Sequence, residues 1–188
     1  FKKHGKTIRS TAILEESLKL KKSYNTVAII CKNIEETLLY NQLISSDEYM
    51  NKFRLVTKND KVFVEEKIMI IPSYLAKGLE FDNVFLVGME ENVFPGSQTI
   101  YGGDKEMEEE RRLAYVGITR AKKKLYITHT YTRMLFGSTN RNMPSRFLKE
   151  IPKELLEGYD EALGERKSNY SDMEYEWKYG SKVSNLYF

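Results

Sequence analysis

Four short runs of mainly apolar residues, rich in β-branched and aromatic side chains, set the limits on how this chain can fold. They are Thr26–Cys31, Ile68–Ile71, Val84–Gly88 and Leu125–Thr128. Continuous apolar runs of this length are typical of strands covered on both faces, because a strand with one wet face alternates apolar and polar residues. Helical or loop segments separate the runs, so the pattern predicts an α/β fold with a parallel sheet between two layers of helices.

A helix is predicted directly after the first run. Asn33 belongs to the residue types that cap helix N-termini, and Glu35 and Glu36 in the next turn complement the helix dipole. The packed stripe of this helix extends to Ile44. A strand followed at once by a helix is the first half of a βα unit, which agrees with a parallel sheet.

Composition argues against several classes of protein. The 188 residues include 30 basic and 27 acidic ones, a net charge of +3, so any contact with nucleic acid must be local. One cysteine, Cys31, and two histidines argue against a disulfide framework and a zinc site, and favour a cytoplasmic location. No apolar run approaches the ~20 residues needed to span a membrane. Because the chain begins at Phe1 rather than Met, we expect it to be a piece of a longer protein.

A helical stripe precedes the fourth run. Counted from Glu110, small and apolar residues fall at +3, +4, +7, +8 and +11, which is one face of a helix. They are Leu113, Ala114, Gly117, Ile118 and Ala121. Arg120 would lie at the edge of this face with its head pointing outward. On spacing alone, the simpler interpretation is that Arg120 is one of many solvated cations.

The segment after the second run contains the first candidate ligand contacts. Ligands of parallel α/β sheets bind in loops beyond the C-terminal ends of the strands, and this segment carries Lys77, Gly78 and Glu80 there. The alternative is a turn with a solvated charge pair. A second glycine-containing motif, Gly5-Lys6-Thr7, matches only the end of a phosphate-binding loop, since the first glycine would have to lie before Phe1 and the required apolar strand is not visible.

Two segments together closely resemble motifs V and VI of the UvrD/Rep/PcrA-type superfamily 1 DNA helicases. They are Ala76–Phe81 with Val84–Glu91 and Phe94–Pro95, and then Glu108–Ala121. Met134–Gly137 and Pro144–Leu148 resemble the segment that follows motif VI in that family. The resemblance implies the second RecA-like motor domain, a P-loop NTPase-type sheet between helices without a Walker A loop of its own. In this family that domain closes over ATP bound mainly by the first.

The resemblance also implies roles for individual residues. Arg120 resembles the arginine finger of motif VI, whose guanidinium matches charge spread over the phosphoryl oxygens of ATP. Glu80 resembles the carboxylate that contacts the nucleotide ribose, and Gly78 and Lys77 are similar to the loop that supports it. ATP with Mg²⁺ would be held mainly by the missing N-terminal motor domain, and no metal ligand is assigned to this chain.

The chain departs from the family pattern before motif V. Pro72-Ser73-Tyr74-Leu75 stands where the family usually has a Thr-Leu-His run, and this form resembles the helicase IV (HelD-like) branch. Ser73 and Tyr74 are therefore the candidate DNA contacts, since a tyrosine can stack on a base or bond to a phosphate. Too few residues separate Cys31 from Ile68 to hold the large inserted 2B domain of the UvrD/PcrA type.

These observations predict three parts. Residues 1–152 would form the motor domain and 153–174 a polar linker, while 175–188 would start a Tudor-like module that Trp177–Ser184 resembles. By resemblance, the function is the C-terminal motor domain of a 3′-to-5′ ATP-dependent DNA helicase, inactive alone, acting on single-stranded DNA or a duplex junction with its first motor domain. The alternative is a non-catalytic helicase-like module that binds nucleic acid or RNA polymerase.

Overall fold

Strands and helices make up most of the described chain. The computed structural model describes residues 5–22, 26–40, 44, 49, 51–60, 67–130, 132–135, 138–157 and 184–187. The helices are α1 (Gly5–Lys21), α2 (Ile34–Leu38), α3 (Ser97–Gly102) and α4 (Asp104–Ile118). The strands are β1 (Val27–Cys31), β2 (Phe53–Leu55), β3 (Ile68–Pro72), β4 (Phe81–Leu86), β5 (Ala121–Ile127), β6 (Thr132–Leu135), β7 (Ser138–Arg141) and β8 (Ser184–Tyr187). Short 3₁₀ helices cover Ser73–Leu75, Arg146–Glu150 and Lys153–Leu155.

Six of these strands form one sheet in the order β2-β3-β1-β4-β5-β8. The first five are parallel to their neighbours, and β8 pairs antiparallel with β5 at the edge. All four apolar runs lie in this sheet, as β1, β3, β4 and β5. The predicted RecA-like α/β class, a parallel sheet flanked by helices, is thereby confirmed.

The two faces of the sheet bury two separate apolar clusters. Along β1, Ala28 and Ile30 belong to the cluster on the α4 side, whereas Val27, Ile29 and Cys31 belong to the cluster on the α1 side. All five residues are at most 1% exposed. Burial on both faces is the physical reason why these strands read as continuous apolar runs.

The predicted start of α2 is confirmed, whereas the predicted end of α4 is wrong. The Asn33 side chain accepts a hydrogen bond of 2.9 Å from the Glu36 backbone N–H, which confirms the predicted cap, although α2 ends already at Leu38. The prediction that the α4 stripe continues to Ala121 is wrong, because α4 ends at Ile118 and Ala121 begins β5. Arg120 therefore lies in the turn between a helix and a strand.

Only parts of the segment after residue 152 are described. Leu156 packs against the core cluster on the α4 side, and Ser184–Tyr187 form β8. The remainder of the predicted linker and module lies outside the described residues, so the division into three parts stays a prediction. None of the helices in the described ranges has the length and apolar character needed to cross a membrane.

Candidate nucleotide and nucleic-acid site

The segment from Ser73 to Glu80 runs from the edge of the sheet formed by the C-terminal ends of the parallel strands to the edge formed by their N-terminal ends. Ser73 directly follows the C-terminal end of β3, whereas Glu80 directly precedes the N-terminal end of β4. Because the two strands point the same way, the expected position of Glu80 beyond the C-terminal strand ends is wrong. The candidate DNA contacts and the candidate nucleotide carboxylate thus lie at opposite edges of the same sheet.

Arg120 lies at the same N-terminal edge as Glu80. The backbone N–H of Phe81 donates to the carbonyl oxygen of Arg120 at 2.9 Å, and Phe81 pairs in register with Ala121. Glu80 and Arg120 consequently occupy equivalent positions, each one residue before neighbouring parallel strands. Residues 40 positions apart in the sequence, from two separate motifs, are brought together by this pairing.

Three hydrogen bonds hold the guanidinium of Arg120. Its Nε donates to the carbonyl oxygen of Val116 and its Nη1 to that of Leu79, each at 3.0 Å. Its Nη2 donates to the Thr119 hydroxyl, also at 3.0 Å. The carbonyl of Val116 is one of the last in α4, where the negative end of the helix dipole favours a cation. The cation therefore bridges the end of α4 and the segment that carries Glu80.

The other candidate nucleotide residues are open to solvent. The Glu80 side chain is 64% exposed, and the Nζ of Lys122 lies 3.8 Å from its Oε2. Gly78 has a φ of +82°, a conformation that glycine adopts without strain, and the position of an added Cβ has no atom within 4 Å. Lys77 beside it is exposed. A side chain or backbone group at these three positions can reach a ligand without rearrangement of the core.

At the same edge, the carboxylate of Asp82 links the residue before β1 to β4. Asp82 accepts hydrogen bonds from the backbone N–H of Thr26 at 2.9 Å and from its hydroxyl at 3.2 Å. Lys123 lies 3.1 Å from the other carboxylate oxygen. The Thr26 backbone N–H, more than the Lys123 charge, lowers the pKa of Asp82 below its ordinary value. These bonds fix the strand start immediately after Glu80.

Ser73 and Tyr74 have different environments at the C-terminal edge. The Ser73 side chain is fully buried, and its hydroxyl donates to the carbonyl oxygen of Lys32 at 2.8 Å. Tyr74 is half-buried, and the Nζ of Lys58 lies 5.6 Å from the centre of its ring. A ligand at this edge can reach Tyr74 and Lys58, whereas the Ser73 hydroxyl is used inside the fold.

A largely buried ion pair at this edge was not predicted from the sequence. Lys32 Nζ lies 2.6 Å from Glu110 Oε1, and the two side chains are only 15% and 12% exposed. Glu110 also accepts from the Thr99 hydroxyl at 2.6 Å and from the Gly96 backbone N–H at 2.9 Å. The signal was present in the α4 stripe, because Glu110 occupies its first position and so had to face inward. No group of three potential metal-ligating side chains occurs within the described residues.

Known proteins resemble this chain over more than half of its length. A family model described as the UvrD-like helicase C-terminal domain matches residues 2–132. ATP-dependent DNA helicase PcrA from Staphylococcus aureus (strain MRSA252) is 51% identical over 112 residues, which cover 59% of this chain and 15% of that protein. PcrA from Staphylococcus epidermidis (strain ATCC 12228) is 49% identical over the same length, with the same coverage.

A solved structure also matches part of the chain. It is described as the C-terminal domain of a possible DNA helicase from Lactobacillus plantarum WCFS1, with 23% identity and a TM-score of 0.45. The match covers 77% of this chain and 74% of the other. The matched segment spans 15% of the length of the curated relatives, so the relatives contain much more than the part that corresponds to this chain.

Proposed function

Because this chain belongs to the UvrD-like helicase C-terminal domain family, we propose that it is the second motor domain of an ATP-dependent DNA helicase. In this proposal Arg120 is the arginine finger and Glu80 binds the ribose of ATP held mainly by the first motor domain. The observation that carries the proposal is the placement of Arg120 and Glu80 side by side at one edge of the sheet. One residue offers a planar cation and the other two acceptor oxygens, as a triphosphate and a sugar require.

Arg120 and Glu80 would contribute binding and charge, while the remaining chemistry would belong to the first domain. A guanidinium stabilises the negative charge that spreads over the transferred phosphoryl group, and elsewhere arginine fingers raise turnover by about 10³–10⁵-fold. We assign Mg²⁺ and the phosphate-binding loop to the first domain. This chain alone is then expected to hydrolyse essentially no ATP.

The test is the substitution Arg120→Ala in the full-length protein that contains this chain. DNA-stimulated ATP hydrolysis should fall by about 10³-fold or more, while the thermal unfolding temperature stays close to that of the wild type. Arg112→Ala is the matched control, because Arg112 lies on α4, the helix that ends just before Arg120, is 69% exposed and pairs only with exposed Glu109 among the described residues. Near-normal turnover of the Arg120 variant would exclude the proposed site.

The opposite edge of the sheet is proposed to contact single-stranded DNA. Tyr74 offers an aromatic ring for base stacking, Lys58 offers a cation for a phosphate, and Ser73 anchors the turn from inside. The segment between Ser73 and Glu80 would then connect the DNA edge to the nucleotide edge, which provides a direct physical route for coupling hydrolysis to translocation.

Tyr74→Ala tests this edge. Loss of one base–aromatic stack should weaken the binding of labelled oligo(dT) by about tenfold in fluorescence anisotropy at fixed salt. Tyr115→Ala is the control, since Tyr115 is 66% exposed and lies on the last turns of α4 near the other edge. Equal binding by the wild type and the Tyr74 variant would remove Tyr74 from the DNA site.

A further inference from the structure

The hydroxyl of Thr119 stands between the end of α4 and the head of Arg120. Its Oγ1 donates to the carbonyl oxygen of Tyr115 at 2.9 Å, with Val116 O further away at 3.3 Å. The same oxygen accepts from Nη2 of Arg120 at 3.0 Å. A hydroxyl has one donor and two acceptor sites, so the bond to the helix carbonyl fixes its rotation and leaves a lone pair for the arginine.

The remaining donors of Arg120 suit an anion. A guanidinium has five N–H donors, one on Nε and two on each terminal nitrogen. In the described part of the chain Nε, Nη1 and Nη2 each make one hydrogen bond, to Val116, Leu79 and Thr119 respectively. One N–H on each terminal nitrogen is left for an outside acceptor. These two donors belong to one planar group, which suits the oxygens of a phosphoryl group.

We propose that Thr119 is a positioning residue that holds Arg120 in the orientation in which it meets the terminal phosphate of ATP. The inference rests on the proposed function, since it takes Arg120 as the residue that contacts the nucleotide. Thr119 itself touches no substrate and acts through Arg120. The Leu79 carbonyl oxygen accepts a hydrogen bond from the other terminal nitrogen, so both terminal nitrogens of the guanidinium are held before the nucleotide binds.

Fixing the Arg120 side chain before the nucleotide binds should raise the rate of ATP hydrolysis. A long arginine side chain loses rotamer freedom when it is fixed, and a pre-formed orientation removes that cost from the catalytic step. An interaction that acts through the transition state lowers kcat and kcat/KM together when it is removed and leaves KM nearly unchanged. A residue that only supported the fold would change stability instead.

The experiment compares Thr119→Val, Thr119→Ser and Arg120→Ala in the full-length protein. Valine keeps the shape but removes the hydroxyl, and we expect kcat for DNA-stimulated ATP hydrolysis to fall about tenfold with KM within about twofold. Serine restores the hydroxyl and should restore most of kcat. Thr119→Val in the Arg120→Ala background should cause no further loss, because the two residues act as one unit.

Thr37→Val is the matched control for helix stability. Thr37 also donates its hydroxyl to a carbonyl four residues earlier, that of Asn33 at 2.8 Å, in a different helix. Thermal unfolding of both valine variants separates a loss of fold from a loss of rate. If Thr119→Val unfolds, Thr119→Ala with turnover normalised to the folded fraction replaces it.

The outcomes distinguish the two proposals. Normal turnover of Arg120→Ala would overturn both the proposed function and the role of Thr119. An inactive Arg120→Ala protein together with wild-type kcat in Thr119→Val would overturn only the positioning role. A further tenfold loss in the double variant, or failure of serine to restore kcat, would likewise show that Thr119 does not act through Arg120.

Discussion

Gly117 lies where α4 packs directly against the sheet, and replacing it tests whether packing or helix propensity decides stability there. A Cβ on Gly117 would lie 2.8 Å from Cδ1 and 3.5 Å from Cδ2 of Leu86, and 3.7 Å from Cγ2 of Ile30. Leu86 and Ile30 are fully buried in the core cluster on the α4 side, and close packing in protein interiors leaves such side chains little room to move. Gly117→Ala must therefore push the helix or the strand side chain away.

The two effects of this substitution have opposite signs. Alanine in place of glycine inside a helix stabilises by about 1 kcal/mol, whereas an extra methyl group in a packed core costs about 1–3 kcal/mol. With a first contact at 2.8 Å in a filled core, we expect a net loss of about 1 kcal/mol. For a chain of this size that lowers the melting temperature by about 2–4 °C.

Differential scanning calorimetry of the wild type and two variants is the assay. Gly102→Ala is the control, because the atoms nearest to an added Cβ there belong to Glu106 at 3.6 Å or more, an ordinary contact. A higher melting temperature for Gly117→Ala than for the wild type would refute the packing argument and leave propensity as the deciding effect. Since Arg120 follows three residues later and its backbone N–H bonds to the Gly117 carbonyl at 3.4 Å, a displaced helix end should also reduce ATP turnover.

Two further predictions concern the carboxylates at the two edges. Glu110→Ala leaves the nearly buried Lys32 ammonium without its partner and should lower the free energy of unfolding, measured in urea, by about 3 kcal/mol. Glu108→Ala removes one side of an exposed pair and should lower the same free energy by less than about 1 kcal/mol. Equal losses in the two variants would show that burial does not decide the effect. The pKa of Asp82 is lowered in the folded state by the Thr26 backbone N–H. Its contribution to the free energy of unfolding is therefore complete above the ordinary pKa of 3.8 and is lost as the pH falls through the folded pKa. Asp82→Asn should accordingly be less stable at pH 7 and lose less stability between pH 5 and pH 3, and unchanged acid sensitivity in urea titrations would contradict this assignment.

Much of the fold could be read from the sequence because burial leaves a direct mark on residue type. Strands covered on both faces have to be continuous apolar runs, and all four such runs are strands of the parallel sheet. The cap at Asn33 was equally local, since a side-chain oxygen and a backbone N–H three residues later decide it. The family followed from two motifs, and the family model confirms it.

Other features depended on contacts between residues far apart in the chain. The stripe of α4 suggested a helix through Ala121, but pairing of Phe81 with Ala121 ends the helix earlier because those backbone groups bond to a strand instead. The burial of Ser73 and the pairing of Lys32 with Glu110 also join separate elements. The α4 stripe indicated that Glu110 faces inward, but no local pattern identifies Lys32 as its partner or the Lys32 carbonyl oxygen as the partner of Ser73.

The sequence by itself thus determined which four segments form β1, β3, β4 and β5 and which family the chain belongs to, and it singled out Arg120 as the arginine to test. Only the tertiary structure decided that Glu80 lies at the N-terminal edge beside Arg120 and that Thr119 and Leu79 grip the guanidinium. The physical reason is that apolar periodicity reports burial along one element. The register between parallel strands, by contrast, is set by hydrogen bonds between segments about 40 residues apart.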